Sequence, residues 1–267
     1  MKFKGIIALG ITLLFCQMNT WATSLVPPKI NKIDTPARIL FVGNSFSFYN
    51  NGIHNQLGAL LRSANKWQAG KSYLRLSTLS GGALHEHQLD LDYQLNSAKK
   101  PYHAVVLQGH SKEAIDPKKH KAFKTALNQL SQQIRRANAQ PILFMTWGYA
   151  GDDKMSDQLA NAYIEAANEL DMLVVPVGLA FIQAQKAFPQ INLYIQDVLG
   201  VNVQGELSYR SDIKHPSQAG SYLAACVFYA SLFHESPEGL VYRADLSTET
   251  AEKLQKLAWQ VVQDFYR

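Results

Sequence analysis

Residues 38–47 read Arg-Ile-Leu-Phe-Val-Gly-Asn-Ser-Phe-Ser, and this stretch decides the fold. The apolar run at residues 39–42 has the composition of a buried β-strand. It ends abruptly in Gly43, Asn44 and Ser45, and a helical pattern follows. A strand that ends in this way delivers one hydroxyl to the end of a sheet. Ser45 is therefore a candidate nucleophile, provided that another side chain accepts its proton.

Strands and helices alternate along the rest of the chain. Further apolar or alternating runs predict strands at residues 73–79, 103–107, 141–145 and 172–176. Helical patterns lie between and after them, at residues 117–137, 156–170, 181–187, 217–233 and 248–265. This alternation predicts an α/β domain in which a parallel sheet of about five strands is sandwiched between helices.

Polar and glycine-rich turns follow three of the predicted strands. They are Gly43-Asn44-Ser45, Ser80-Gly81-Gly82 and Gln108-Gly109. In parallel sheets, ligands bind beyond the carboxyl ends of the strands. We therefore expect the three turns to line one crevice.

The one convincing proton acceptor for Ser45 lies far down the chain, at His215. Asp212 precedes it by three residues, and Pro216 restricts the loop. In a tight loop this spacing lets the carboxylate meet one ring nitrogen while the other faces outward, as activation of a serine requires. For an isolated pair, the alternative is that Asp212 caps a turn and His215 lies on the surface. The strand-end position of Ser45 favours the catalytic interpretation.

Acyl transfer also needs hydrogen-bond donors for an oxyanion. The candidates are the backbone N–H of Ser45, a backbone N–H of Gly81 or Gly82, and the side-chain amide of Gln108. The missing side chains of the two glycines permit close approach. The alternative for the glycines is a plain turn, and the alternative for Gln108 is a hydrogen bond to a neighbouring loop.

Taken together and in chain order, these blocks resemble the SGNH (GDSL-type) hydrolase superfamily. The resemblance covers nearly all of the chain from residue 38 to the helix after His215. It implies a three-layer α/β/α fold of the flavodoxin-like, doubly wound kind, and ester hydrolysis without a metal or organic cofactor. It also implies that Ser45 is the nucleophile, His215 the base and Asp212 its orienting acid, while Ser45 and Gly81 or Gly82 donate to the oxyanion.

Two blocks depart from the usual pattern of that superfamily. Asn44 stands where the first block usually has aspartate, a variant that the superfamily tolerates. The third block usually supplies an asparagine, whereas this chain reads Gln108-Gly109-His110-Ser111. That sequence is similar to the Gln-Gly-Glu-Ser of carbohydrate acetylesterases, including sialate O-acetylesterases. The resemblance therefore carries the third oxyanion role to Gln108, with Ser111 as the alternative.

Residues 1–22 have the features of a secretory signal peptide. Lys2 and Lys4 form a basic start, an apolar stretch follows at residues 6–16, and small residues flank Trp21. We expect residues 23–37 to form a lead-in and residues 38–267 to form one domain, exported to a periplasm or to the medium.

Two other interpretations of this start are less favoured. An uncleaved membrane anchor conflicts with the short apolar stretch. A lipoprotein signal ending at Cys16 conflicts with the bulky Phe15 before it, where such signals have a small residue.

Charge and side-chain spacing argue against several function classes. The 267 residues carry a formal net charge of +5, and the basic residues are scattered rather than gathered with aromatics, which favours a solvated surface over a nucleic-acid interface. His85 and His87 lack a third ligand of obvious spacing, so no metal site is expected. Cys226 lies in an apolar helical pattern, which predicts a buried thiol.

The predicted function is that of an exported serine esterase for short acyl esters, such as O-acetyl groups on a carbohydrate. The Gln108-Gly109 block and the lack of an apolar lid segment favour a short acyl group over a long lipid. A lipase or lysophospholipase of the same fold is the alternative enzyme. A catalytically silent glycan-binding domain is the alternative from another class. We expect a small-molecule or glycan ester as the partner, no nucleic acid, and no stable membrane insertion after signal cleavage.

Overall fold

A computed structural model describes residues 25–267, so the predicted signal peptide lies outside the described residues. A sheet of five parallel strands forms its centre, in the order β2-β1-β3-β4-β5. The strands are β1 (Arg38–Gly43), β2 (Tyr73–Thr78), β3 (Ala104–Leu107), β4 (Gln140–Phe144) and β5 (Leu173–Val175). The predicted α/β fold with a five-stranded parallel sheet is confirmed.

The strand order places Ser45 at a particular point of the sheet. The chain moves from β1 to β2 in one direction and from β3 through β5 in the other. Such a reversal opens a crevice beyond the carboxyl ends of the two central strands, here β1 and β3. Ser45 lies two residues after the end of β1, and Gln108 directly follows β3.

Helices cover both faces of the sheet, because right-handed crossovers place the helix after β1 on one face and those after β3 and β4 on the other. The apolar side chains of the amphipathic helices recur every three or four residues, as in Phe123, Leu127, Leu130 and Ile134, all of which are buried. The helices are α1 (Ser45–Phe48), α2 (Ile53–Ser63), α3 (Gln88–Ser97), α4 (His120–Arg136), α5 (Asp153–Glu169), α6 (Val177–Ala187), α7 (Gln218–Phe233) and α8 (Thr248–Phe265).

Helix α7 is buried along nearly its whole length, which explains its uniformly apolar sequence. Its start is capped by the hydroxyl of Ser217, which accepts a hydrogen bond from the N–H of Gly220. Phe228 on this helix packs edge-on against Phe41 of β1, with ring centroids 5.2 Å apart. Cys226 is fully buried, as its apolar surroundings predict, and burial raises the pKa of its thiol.

The segment between α6 and α7 contains four short strands that the sequence pattern does not predict. They are β6 (Tyr194–Ile195), β7 (Val198–Val201), β8 (Leu207–Tyr209) and β9 (His215–Pro216). β6 pairs with β9, and β7 pairs with β8, in both cases antiparallel. Among residues 25–267, no helix has the length and apolar character that a bilayer span requires.

Candidate active site

Ser45 is held at the end of β1 by close packing of the backbone. The side chain of Asn44 caps α1, because its Oδ1 accepts a hydrogen bond from the N–H of Phe46 at 3.2 Å. A Cβ atom at Gly43 would collide with the side chains of Gln108 and Ser47, so only glycine fits there. The turn therefore presents the Ser45 side chain to the crevice in a fixed position.

His215 lies against Ser45 and is in turn held by Asp197. Its Nε2 is 2.7 Å from the Ser45 Oγ, and its Nδ1 is 2.5 Å from an Asp197 carboxylate oxygen. A second Asp197 oxygen accepts a hydrogen bond of 2.8 Å from the Tyr49 hydroxyl. The three side chains form a continuous serine–histidine–carboxylate chain, which is the arrangement that activates a serine hydroxyl.

Strand pairing brings Asp197 and His215 together although they are distant in sequence. In the antiparallel pair of β6 and β9, Ile195 is opposite His215. Asp197 is two residues beyond Ile195, so it reaches back as a diagonal neighbour of His215. The hairpin of β7 and β8 lies between Asp197 and His215 in the sequence.

Asp212 is not the hydrogen-bond partner of His215, which corrects the prediction from the sequence. Its carboxylate accepts hydrogen bonds from Arg210 at 2.8 Å and from Lys214 at 2.5 Å. Both cations lower the pKa of this carboxyl. Because each cation is two residues from Asp212 along the chain, the three side chains satisfy one another locally, and the His215 ring turns to Asp197 instead.

Aromatic rings shield the imidazole of His215. The Tyr49 ring stacks on it with centroids 4.3 Å apart, and Phe46 meets it edge-on at 5.9 Å. This burial lowers the pKa of His215, while the hydrogen bond to Asp197 works in the opposite direction. The net shift is downward, so the ring is neutral at pH 7 and its Nε2 can accept a proton.

Two backbone N–H groups at the crevice are available to an oxyanion. No hydrogen bond within the described part of the chain uses the N–H of Ser45 or that of Gly81. Gly81 has a φ of 67°, which favours glycine, and it lines the same cleft as Ser45. By contrast, the N–H of Gly82 donates to the Leu79 carbonyl at 3.0 Å, so of the two predicted glycines Gly81 is the candidate donor.

Gln108 points away from the cleft, which corrects its predicted role. It is fully buried, and its Oε1 accepts hydrogen bonds of 2.9 Å from the Asn44 N–H and from the Ser47 hydroxyl. Its Nε2 donates to the Asn44 Oδ1 at 2.9 Å and to the Gly109 carbonyl. Both ends of the amide are thus engaged, and Gln108 supports the turn that carries Ser45.

Ser111 and His110 line the cleft in the place where Gln108 was expected. The Ser111 Oγ is 3.1 Å from the Tyr149 hydroxyl, and because either oxygen can donate in this pair, the Ser111 hydroxyl hydrogen can be directed to a ligand instead. Burial lowers the pKa of His110, so its ring is neutral. Ser111 is therefore the candidate for the third oxyanion donor, the alternative that the sequence leaves open.

Asn44 and Glu113 tie the turns of the crevice together. The Asn44 amide donates to the carbonyl of Gly82 at 3.0 Å. Both carboxylate oxygens of Glu113 accept the N–H of Leu84 at 3.2 Å, and the N–H of His110 also donates to this carboxylate. Burial raises the Glu113 pKa to about 7. This bridge fixes the Gly81 turn relative to the turn that carries Ser111.

The cleft beside Ser45 has a volume of about 420 Å³ and is open to solvent. Its oxyanion side is polar, and its other side contains aromatic, apolar and charged groups. The lining residues are Asn44, Ser45, Phe46, Phe48, Tyr49, Ser80, Gly81, His110, Ser111, Asp197, Val198, Arg210, Lys214 and His215. Across residues 25–267, no group of three or more His, Cys, Asp or Glu side chains is arranged to hold a metal ion.

Asp197 is the main residue that the sequence analysis missed. No fixed spacing links it to His215, because the inserted hairpin sets their separation. One signal was available, since Arg210 and Lys214 flank Asp212 and indicate that its charge is already paired. The other carboxylates between residues 189 and 216 are those of Asp197 and Glu206.

Comparison with solved structures finds a similar fold in several proteins, some of which are described as hydrolases. A protein from Slackia heliotrinireducens assigned to the SGNH hydrolases is 26% identical, with a TM-score of 0.56 over 73% of this chain and 98% of that chain. A DUF4886 family protein from Bacteroides uniformis is 17% identical, with a TM-score of 0.61 over 86% and 95% of the two chains. An acetyl xylan esterase, AlAXEase, is 15% identical, with a TM-score of 0.54 over 73% and 98%.

No protein-family model and no curated protein sequence matches this chain. The similarity to the Slackia heliotrinireducens protein supports the resemblance to the SGNH superfamily that the sequence blocks indicate. At these identities the likeness concerns the fold.

Proposed function

We propose, on the premise that this chain has the fold of the SGNH hydrolases, that it is a serine esterase with Ser45, His215 and Asp197 as its catalytic triad. The observation that carries the proposal is the unbroken hydrogen-bond chain from Ser45 through His215 to Asp197 at the wall of an open cleft. A partner for each ring nitrogen of His215 fixes both its tautomer and its direction.

The reaction follows from this geometry in two halves. In the first, the Ser45 Oγ attacks the ester carbonyl while Nε2 of His215 takes its proton, and the same nitrogen then protonates the departing alcohol. In the second, His215 takes a proton from water, the hydroxide attacks the acyl-serine carbonyl, and the acid leaves as Ser45 regains its proton. Asp197 stabilises the imidazolium that forms in each half.

The negative charge that develops on the carbonyl oxygen needs donors on the opposite side of Ser45. The N–H groups of Ser45 and Gly81 and the hydroxyl of Ser111 take this role in the proposal. Loss of one such donor typically costs about 10²- to 10³-fold in kcat. Gly81 cannot be altered without straining its positive φ, so Ser111→Ala is the practical test of this part.

The polar oxyanion side of the cleft supports a short acyl group. Ser80, Gly81, His110 and Ser111 line it, and a long alkyl chain would gain little by lying against them. We propose short acyl esters as substrates, with an O-acetyl group on a carbohydrate as one member of the class.

The decisive experiment is hydrolysis of p-nitrophenyl acetate by the wild type, Ser45→Ala and His215→Ala. Activity in the wild type and a loss of at least about 10³-fold in each variant are expected. Ser97→Ala and His85→Ala, which change exposed residues outside the cleft, are the matched controls. Hydrolysis by Ser45→Ala at the wild-type rate would refute the proposal.

A lipase of the same fold is the second candidate, and exposed apolar side chains beside the cleft favour it. These include Val198 and Leu199, which follow Asp197 directly. Comparison of p-nitrophenyl acetate with the octanoate separates the two candidates, because kcat/KM falls with acyl length for the short-acyl esterase and rises for the lipase.

Export to a periplasm or to the medium is also part of the proposal, and it rests on the sequence of residues 1–22. The N-terminal sequence of protein recovered from outside the cytoplasm tests it. A start near residue 23 is expected, whereas full-length protein retained in the cytoplasm would contradict export.

A further inference from the structure

The hairpin of β7 and β8 gathers most of the exposed apolar surface of the described chain. Of the twelve large apolar side chains that are exposed among residues 25–267, seven lie between Ile195 and Tyr209. Contiguous apolar patches on a protein surface mark sites of interaction. A two-stranded hairpin is also only marginally stable by itself, so covering this surface stabilises it.

Cross-strand pairing puts four of these side chains on one face of the hairpin. Val198 pairs with Tyr209, and Val201 pairs with Leu207. Leu207 and Tyr209 are two residues apart on β8 and so share a face, and directly paired residues share it too. The extra residue of the bulge between Val198 and Gly200 keeps Val201 on this side. We call the face formed by Val198, Val201, Leu207 and Tyr209 the apolar ledge.

The apolar ledge continues the wall of the cleft. Val198 lines the cleft together with Ser45 and His215, and it is 52% exposed. From there the ledge extends outward to Val201 and Leu207, which are 64% and 52% exposed. The step from Tyr209 to Leu207 along β8 adds about 7 Å to the length of the cleft wall.

The chain enters the hairpin on the histidine side of Ser45. Val198 directly follows Asp197, whose carboxylate bonds to His215. Gly81 and Ser111 belong to the turns after β2 and β3, which form the oxyanion side of the proposed site. Because the base returns its proton to the leaving alcohol, the alcohol of a bound ester lies beside His215. The ledge therefore adjoins the alcohol portion of the substrate and not the acyl portion.

We propose that the apolar ledge binds the alcohol portion of the ester, and that this portion carries an extended apolar group. The inference rests on the proposed esterase function and names the substrate class more closely: a short acyl group on an alcohol with an apolar segment. The turn at the tip of the hairpin carries Glu206, whose charge disfavours insertion of the tip into an anionic bilayer.

The test holds the acyl group constant and varies the alcohol. Ethyl, butyl, hexyl and decyl acetate are hydrolysed in a pH-stat by the full mature chain. From ethyl to hexyl acetate, KM is expected to fall by about tenfold as apolar surface is buried on the ledge. The kcat is expected to stay within about twofold, because the alkyl contacts are equal in the ground state and the transition state. Beyond hexyl the trend levels off, since the ledge extends only about 7 Å.

A matched pair of variants assigns the effect to the ledge. Val201→Thr with Leu207→Thr places threonine, a residue that favours strands, at both positions and adds hydroxyls to the face. The ratio of KM for ethyl acetate to KM for hexyl acetate is expected to fall from about ten to about two, by the loss of apolar burial. Val241→Thr, at an exposed valine outside the hairpin, should keep the wild-type ratio.

Four other outcomes would overturn the proposal, and each points to a different explanation. An enzyme that hydrolyses every acetate with one KM refutes the ledge and leaves the esterase function in place. A protein that hydrolyses none of these acetates and no p-nitrophenyl acetate refutes both. A dimer in analytical ultracentrifugation that the double threonine variant dissociates assigns the ledge to a second copy. Flotation with phosphatidylglycerol vesicles that the variant abolishes assigns it to a membrane.

Discussion

Asp197 and Asp212 lie in the same surface segment and differ in what surrounds them. The Asp197 side chain is 13% exposed and accepts hydrogen bonds from the ring of His215 and the hydroxyl of Tyr49. The Asp212 side chain is 30% exposed and lies between Arg210 and Lys214. One carboxylate faces a titratable ring, and the other faces two permanent cations.

The difference shows what a carboxylate needs in order to support a catalytic histidine. A nearby cation competes for the oxygen atoms and weakens the attraction to an imidazolium. The side chains that hydrogen-bond to the Asp197 carboxylate are the ring of His215 and the neutral hydroxyl of Tyr49, so its charge remains available to His215. Around Asp212 the same charge is already neutralised. Proximity to His215 in sequence is therefore a poorer guide than the identity of the groups that hold the carboxylate.

Asp197→Asn should have the largest effect in this comparison. The amide cannot stabilise the imidazolium and favours the wrong tautomer, so kcat for p-nitrophenyl acetate should fall by about 10³- to 10⁴-fold. Loss of the carboxylate also removes a group that raises the pKa of His215, so the acid limb of the pH–rate profile should move to lower pH. Wild-type activity in Asp197→Asn would remove it from the proposed triad.

Glu113→Gln extends the comparison to a buried carboxylate. Gln retains one of the two oxygens that accept the Leu84 N–H, so the Gly81 turn loosens and kcat should fall by about tenfold. The KM should change less, since the contacts of the substrate with the cleft remain. Stopped assays of initial rate on p-nitrophenyl acetate provide both constants.

The same variant tests the pKa of Glu113 through stability. Burial raises this pKa from 4.5 to about 7, so folding favours the protonated form. The stabilisation of the folded state by protonated Glu113 is fully present below pH 4.5 and is lost as the pH rises through 7. The wild type should lose roughly 2–3 kcal/mol of unfolding free energy relative to Glu113→Gln between pH 5 and pH 8.

Urea denaturation at the two pH values measures this difference. Glu165→Gln, at an exposed position of α5, is the control and should follow the wild type. Equal pH dependence in the wild type and Glu113→Gln would contradict the raised pKa.

Tyr49→Phe should have a smaller effect, because the ring that stacks on His215 is kept. Only the hydroxyl that donates to Asp197 is lost, so kcat should fall by less than about tenfold. With one donor fewer, Asp197 attracts the imidazolium more strongly and the acid limb of the pH–rate profile should move to higher pH. A shift in the opposite direction would show that the Tyr49 hydroxyl acts mainly by holding the Asp197 carboxylate in position for His215.

Asp212→Asn should have the smallest effect. Ion pairs of this exposure contribute about 0–1 kcal/mol, so kcat and the midpoint of urea denaturation should stay close to the wild-type values, kcat within about threefold. A loss of kcat comparable to that of Asp197→Asn would reverse the comparison and restore Asp212 as the partner of His215.

The fold and half of the site could be predicted from local sequence. Strands covered on both faces show as continuous apolar runs, and β1 and β3 are such runs. Ser45 and the turn of Gly81 and Gly82 could be placed at the candidate site because strand ends converge at one edge of a parallel sheet, although the sequence left open which glycine donates. These inferences need only the order of elements and the geometry of parallel strands.

The rest depended on contacts that the sequence does not reveal. Asp197 meets His215 through two strands of two residues each, too short to leave a pattern. Gln108 turns inward because Gly43 leaves room for its amide, which is a matter of packing between β1 and β3. Tertiary structure determines which short strands pair and in which direction a side chain points. Secondary-structure propensity predicts neither.

The buried thiol of Cys226 has a practical consequence for every substitution discussed above. In a protein that begins after residue 22 it is the sole cysteine, and no part of it is exposed. An alkylating reagent reaches the sulfur only when α7 opens. The labelling rate therefore measures how often the protein unfolds around this helix. Mass spectrometry of alkylated protein, taken from the same tube as the assay, thus separates a variant that has lost its chemistry from one that has lost its structure.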